Sequence, residues 1–174
     1  MGSPLRLYLD QNYLSGIAKR KPAFRELEPA LRAAVARGVV AVLESPVHER
    51  ESRPRPDLRL LELLRELSGG RRLSAATGPA VRAARERMLW TIAHELPERR
   101  PRASDSADLD ALAAALVECE LVSCDAFMAD VIRRARLERL HGCELFSGRH
   151  SDVRRLHRRL RELLGGCERR DQSA

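Results

Sequence analysis

Aromatic side chains are scarce. Tyr8, Tyr13, Phe24, Trp90, Phe127 and Phe146 make up only 3% of the 174 residues. Few and scattered, they offer no platform on which successive nucleic-acid bases could stack. No apolar run approaches the ~20 residues that a membrane-spanning helix needs, and Arg6 and Asp10 interrupt the opening stretch before it can act as a signal peptide. Cys119, Cys124, Cys143 and Cys167 show neither C-x-x-C spacing nor a paired-histidine pattern. Zinc and a disulfide framework are therefore not expected, and the thiols read as those of a reduced, cytoplasmic protein. Gly69-Gly70 is not followed by the Lys-Ser/Thr of a phosphate-binding loop. His94, His141, His150 and His157 show no triad-like or ligand spacing, and His48 reads as a structural, hydrogen-bonded histidine.

What the chain does carry is apolar aliphatics and arginine. Leu, Ala and Val dominate an apolar content of 44%, a composition that favours helices packed on a small sheet over a sandwich or barrel. The length fits one domain with an ordinary core. The formal net charge is +7, supplied mostly by Arg, whose bidentate fork suits phosphate. A basic excess raises the local concentration of polyanions, so nucleic acid is the expected partner, held by phosphate contacts rather than stacking.

Along the chain, Leu5 to Leu9 reads as a strand closed by Asp10, followed by a short helix over residues 11 to 19. Phe24, Leu27, Leu31 and Val35 line one face of a second helix, closed by Gly38. The Val-rich run from Val39 to Leu43 reads as a buried parallel strand, after which Ser45 caps a helix with Pro46 at its first position. Helices follow over 58–67 and from Pro79 to Leu96, with Trp90 read as a core or dimer-contact residue. Asp105 to Glu118 is helical, Leu121 to Ser123 a strand, Ala126 to Leu140 one helix, Cys143 to Phe146 a strand, and Ser151 to Leu164 the last helix. Strands alternating with helices predict a three-layer α/β/α sandwich around a central parallel sheet of about four or five strands. Residues 1–164 form one domain and 165–174 a polar, disordered tail.

In an open parallel sheet, ligands gather beyond the carboxyl ends of the strands. Asp10 and Asp125 each follow a strand directly, so both are expected at that edge. Glu51 lies in the helix after the second strand. Asp105 and Asp108, three apart at a helix start, share a face, with Asp108 beside the Leu112 stripe and Asp110 pointing away from it. Acids that border an apolar stripe need a partner, and a divalent cation suits an all-oxygen cluster. The competing reading is helix capping, which aspartates at strand–helix junctions commonly perform.

Four segments resemble those of the PIN-domain proteins, a family of metal-dependent ribonucleases that includes toxins of bacterial toxin–antitoxin pairs. Tyr8-Leu9-Asp10-Gln11-Asn12 is similar to the family's opening strand ending in Asp-Thr-Asn, with Gln11 in place of Thr. Ser45 to Glu51 resembles its Ser-x5-Glu segment. Asp105-Ser106-Ala107-Asp108-Leu109 resembles the third acidic segment, and Leu121-Val122-Ser123-Cys124-Asp125 the strand that ends in the fourth acid. The resemblance spans roughly residues 5 to 147. It implies an endoribonuclease with Asp10, Glu51, Asp108 and Asp125 as its catalytic acids. Asp10, Asp108 and Asp125 would hold Mg²⁺ or Mn²⁺, with Asn12, Ser123 and Asp105 in support. An antitoxin and a homodimer enter as partners alongside RNA.

Lys19, Arg20 and Lys21 end the first helix near the opening strand's exit and are the candidate substrate-binding cations; Arg99, Arg100 and Arg102 precede the third acidic segment. The last helix carries Arg154, Arg155, Arg158, Arg159 and Arg161, read as a solvated face. Two alternatives stay open at this point: a non-catalytic RNA-binding or protein-interaction module, and a nuclease directed at DNA. The helices around residues 56 to 96 make the chain longer than the shortest toxins of this kind.

Overall fold

Four short apolar segments pair into one sheet. In the computed structural model, which describes residues 3–52, 56–74, 77–98 and 105–171, the strands are β1 (Leu5–Tyr8), β2 (Val40–Leu43), β3 (Leu121–Cys124) and β4 (Glu144–Ser147). All pairings are parallel and the spatial order is β2-β1-β3-β4. Parallel neighbours need crossovers. These are supplied, among the described residues, by α1 (Gln11–Ala18), α2 (Leu27–Ala36), α3 (Pro46–Ser52), α4 (Leu60–Ser68), α5 (Pro79–Glu95), α6 (Asp105–Glu118), α7 (Ala126–Ala135) and α8 (Leu137–His141), with α9 (His150–Asp171) closing the chain.

Because side chains alternate along a strand, the sheet feeds two separate cores. Leu7, Leu9, Val40, Val42, Leu121 and Phe146 point to a layer built from α1, α2, α4 and α9, where Tyr13, Leu31, Leu64 and Leu156 are fully buried. Tyr8, Leu43, Val122, Cys124 and Leu145 point the other way, into Val47 of α3, Met88 of α5, Leu112 of α6 and Ile132 of α7. Both sheet faces are covered, which explains why the strands read as near-continuous apolar runs. The architecture is the three-layer α/β/α sandwich that the alternation of elements predicts.

Several element boundaries differ from the periodicity. Phe24 does not open α2; it ends a 3-10 turn, Pro22–Phe24, and its ring packs edge-on to Tyr13 with centroids 5.4 Å apart. The expected single helix over 126–140 is broken at Arg136, which takes a left-handed conformation with φ +56° and caps α7 through its amide to Arg133 O and Ile132 O. Trp90 is not a core residue: it is 46% exposed on α5, stacked on His94 at 4.6 Å, while its neighbour Met88 faces the core. Finally, α9 does not stop at Leu164 but runs on through Gly165-Gly166 to Asp171. A helix already long tolerates the roughly 1 kcal/mol cost of each glycine. No described helix is long and apolar enough to cross a membrane.

Candidate active site

The strand order places the crossovers from β1 and β3 on opposite sides: β1 leads to β2 at one flank and β3 to β4 at the other. The carboxyl ends of β1 and β3 are therefore the point where the connections diverge and leave a crevice. Asp10 follows β1 and caps α1; its Oδ1 accepts the Tyr13 amide at 3.2 Å. Asp125 follows β3 and caps α7 in the same way, accepting the Met128 amide at 2.7 Å. Both residues thus stand at the same sheet edge, after neighbouring strands. The capping reading is true of both, and both stand at the one edge where the sheet's connections diverge.

A cavity of about 380 Å³ opens at this crevice, lined by Tyr8, Asp10, Gln11, Asn12, Val47, Asp108, Leu112, Cys124, Asp125 and Met128. Asp108 enters it from the first turn of α6, so three of the acids singled out in the sequence share one cavity. Asp110, two positions on, instead pairs with Arg85 of α5 at the surface. The side chains of Glu51 and Asp105 lie outside the described part of the structure, as do Arg99, Arg100 and Arg102; the backbone puts Glu51 in the last turn of α3 and Asp105 at the first position of α6. Among the described residues, no three His, Cys, Asp or Glu side chains stand together as a group that could hold a metal ion.

Asp10 is held from several directions. The Asn12 amide nitrogen donates to its Oδ2 at 3.0 Å, and the Ser123 hydroxyl, which accepts the Asp10 amide at 2.9 Å, approaches its Oδ1 at 3.4 Å. Burial pushes the Asp10 carboxyl up to about 6; the Tyr13 and Asn12 hydrogen bonds oppose the shift and the charge of Asp125 adds to it. Gln11 reaches sideways to the Ser52 hydroxyl at 3.2 Å, tying the start of α1 to the end of α3. Cys124 lines the cavity but is no nucleophile: burial, followed by the charges of Asp10 and Asp125, holds its thiol protonated.

His48 is a fastening. The Ser45 amide donates to its Nδ1 at 3.0 Å, which leaves Nε2 as the protonated nitrogen donating to Leu9 O at 2.7 Å. The ring stacks on Tyr8 with centroids 5.3 Å apart and is 1% exposed. It therefore pins α3 to the peptide immediately before Asp10, and burial pushes its pKa down so that it stays neutral.

A second cavity, of about 300 Å³, adjoins the first and shares Asn12 and Asp125 with it; its other lining residues are Ser15, Lys21, Phe24, Ala126, Gly148 and Arg149. Of the three cations expected to end the first helix, which instead follow α1, Lys21 lines this groove. Arg20 lines a different depression among Glu28, Glu62 and Glu66, and Lys19 lines neither. Arg149 is not one of the candidates that the sequence singles out. A signal for it exists all the same: it follows β4 closely, much as Asp10 follows β1 and Asp125 follows β3, on the same sheet edge.

The donor set suits a hard cation. Asp10 and Asp125 each commit Oδ1 to a helix cap, and Asp125 Oδ2 has no hydrogen-bond partner among the described residues. Mg²⁺ needs only one or two carboxylates and keeps several waters, and a cation here would offset the burial that raises Asp10 and the smaller contribution from the charge of Asp125. Compared with protein-family models, with curated proteins and with solved structures, the chain matches none of them.

Proposed function

We propose that this protein is a metal-dependent endoribonuclease that hydrolyses RNA phosphodiester bonds at the crevice between β1 and β3. The observation that carries the reading is that Asp10, Asp108 and Asp125, carried by three different segments of the chain, line one cavity at the topological switch point of a parallel sheet. The net charge of +7 supports a polyanionic substrate, and the resemblance to PIN-domain ribonucleases rests on the same acids. In this reading Asp10 and Asp125 hold Mg²⁺ or Mn²⁺, directly or through water, with Asp108 and Glu51 completing the acidic set. When bound, the cation supplies an activated water and neutralises charge on the scissile phosphate. Asn12 and Ser123 fix the orientation of the Asp10 carboxylate, and His48 fixes the backbone that carries it. A toxin role with an antitoxin partner belongs to the same proposal.

The test is cleavage of labelled single-stranded RNA, with the same sequence as DNA alongside, by wild type, Asp10→Asn and Asp125→Asn in Mn²⁺ and in EDTA. Wild type should cut RNA only with the metal. Each variant should lose on the order of 100-fold, the rate equivalent of about 3 kcal/mol. Equal rates in Asp10→Asn, or no cleavage at any Mn²⁺ concentration, would overturn it. A second reading, an RNA-binding module without chemistry, is favoured by the capping duty of both aspartates and by the lack of a three-acid group among the described residues. It predicts binding that survives both substitutions and no cleavage by any form.

A further inference from the structure

An acidic crevice repels the backbone it is meant to cut, so a nuclease of this kind needs cations placed beside it rather than spread over the surface. We propose that the groove at Lys21 and Arg149 is a phosphate subsite that seats the nucleotide next to the one being cleaved. The inference rests on the nuclease reading for its purpose, but its geometry is independent of it.

Three observations carry the assignment. The groove is continuous with the acidic cavity, since Asn12 and Asp125 line both. A strand leaving the acids by this path crosses the sheet edge from the α6 side toward the start of α9. Next, both cations stand on fixed backbone. The Lys21 amide donates to Gly16 O at 3.0 Å and its carbonyl accepts from Phe24; the Arg149 carbonyl accepts the amides of Asp152 and Val153, each at 3.0 Å. Their side chains, in contrast, are exposed, and neither has an acidic partner among the described residues. The acid nearest Arg149 in the chain, Asp152, is already engaged. It accepts from the Ser147 amide and hydroxyl at 2.8 and 2.6 Å and pairs with Arg133 and Arg155.

Third, Lys21 and Arg149 are the cations among the residues that line this groove. Arg20, adjacent in sequence to Lys21, lines another depression together with Glu28, Glu62 and Glu66 and their partners Arg32 and Arg59, while Arg134 and Arg159 are paired with acids. Two cations of different reach that form no ion pair among the described residues, beside a hydroxyl (Ser15) and a carboxamide (Asn12) and next to the Asp125 carboxylate, make a recognition surface for a phosphodiester. Phe24 in the wall is buried and cannot stack on a base. The subsite therefore reads backbone charge, not sequence.

The experiment measures binding without cleavage. In an Asp10→Asn background and without divalent metal, a short fluorescent single-stranded RNA is titrated by anisotropy over a series of KCl concentrations. Lys21→Ala/Arg149→Ala should weaken binding on the order of tenfold and flatten the plot of log K against log [KCl] by about 1.4, or ~0.7 for each phosphate that is no longer neutralised. The charge-matched control Arg154→Ala/Arg158→Ala, on the exposed face of α9, should leave that slope in place. In the wild-type background with Mn²⁺, the Lys21/Arg149 variant should raise KM with little change in kcat. An unchanged slope, or an equal loss in the control, overturns the subsite even where the wild type cleaves RNA. A changed slope with no cleavage by wild type overturns the nuclease reading and leaves the subsite standing. Circular-dichroism melts of each variant establish that the differences do not come from unfolding.

Discussion

At the scale of single residues, Asp10 carries an internal conflict that can be measured. Its carboxylate caps α1, yet burial and the charge of Asp125 hold it up to about 6, above the usual aspartate value. A carboxyl whose folded pKa is raised favours folding while protonated. That contribution is present at low pH and is lost as pH rises from about 4 through 6. Asparagine keeps the capping oxygen, and it caps as well as aspartate, without the charge. Asp10→Asn should therefore stabilise the metal-free protein above pH 7 by about 1–3 kcal/mol, and the gain should vanish near pH 4. Thermal melts of both proteins at the two pH values check this; a variant that melts lower at pH 8 contradicts it. The aspartates are legible in the sequence because one rule, acids directly after strands, locates them without coordinates. Arg149 occupies an equivalent place after β4, but a rule framed for acids does not pick out an arginine. Arg136 is not legible at all: arginine carries no signal for a left-handed cap, and its φ of +56° is set by the need to end α7 and restart as α8.

At the scale of elements, what matters is how α1 and α3 are held against the strand ends. Gly16 lies within α1 because the ring of Phe24 occupies the space a side chain would take: a Cβ there would come within 2.6 Å of two ring carbons. The ring itself is fixed against Tyr13. Gly16→Ala should thus cost about 1–3 kcal/mol in overpacking, outweighing the ~1 kcal/mol that alanine gains in a helix. A net loss of about 1 kcal/mol should lower Tm by about 2–4 °C. Gly16→Ala/Phe24→Leu should recover much of it, and a double variant no better than the single would refute the steric account. His48 plays the matching part for α3. His48→Ala leaves Leu9 O and Ser45 N without partners and opens a cavity beside Tyr8, so a loss of about 2–4 kcal/mol is expected from denaturant unfolding. The 3.6-residue period locates these helices well. It does not reveal that Phe24 serves a 3-10 turn, because an aromatic at the right spacing looks the same whether it belongs to the helix or packs beneath its neighbour.

Across the whole molecule, two cores on opposite faces of the sheet are joined where the central strands pair, Leu7 with Leu121 and Tyr8 with Val122. The fold is legible as a class because alternation of apolar runs with amphipathic helices has few compact solutions. Which strands are neighbours is not, since order β2-β1-β3-β4 depends on long-range packing that no local pattern encodes. That order decides the site, for only with β1 beside β3 do Asp10 and Asp125 meet. A cation bound between them would connect the start of α1 to the start of α7, elements on opposite layers, and so oppose unfolding of the molecule as a whole. Mn²⁺ at 100 times its dissociation constant should then add about 2.7 kcal/mol, raising Tm by roughly 5–10 °C, and EDTA should reverse the rise. The rise should shrink below pH 6, where protons compete for Asp10, and be lost in Asp10→Asn and Asp125→Asn. Because Asp10→Asn starts from a higher metal-free Tm, the two curves should approach or cross as Mn²⁺ increases. Parallel curves would mean that the carboxylates serve only as caps, whatever charge surrounds them.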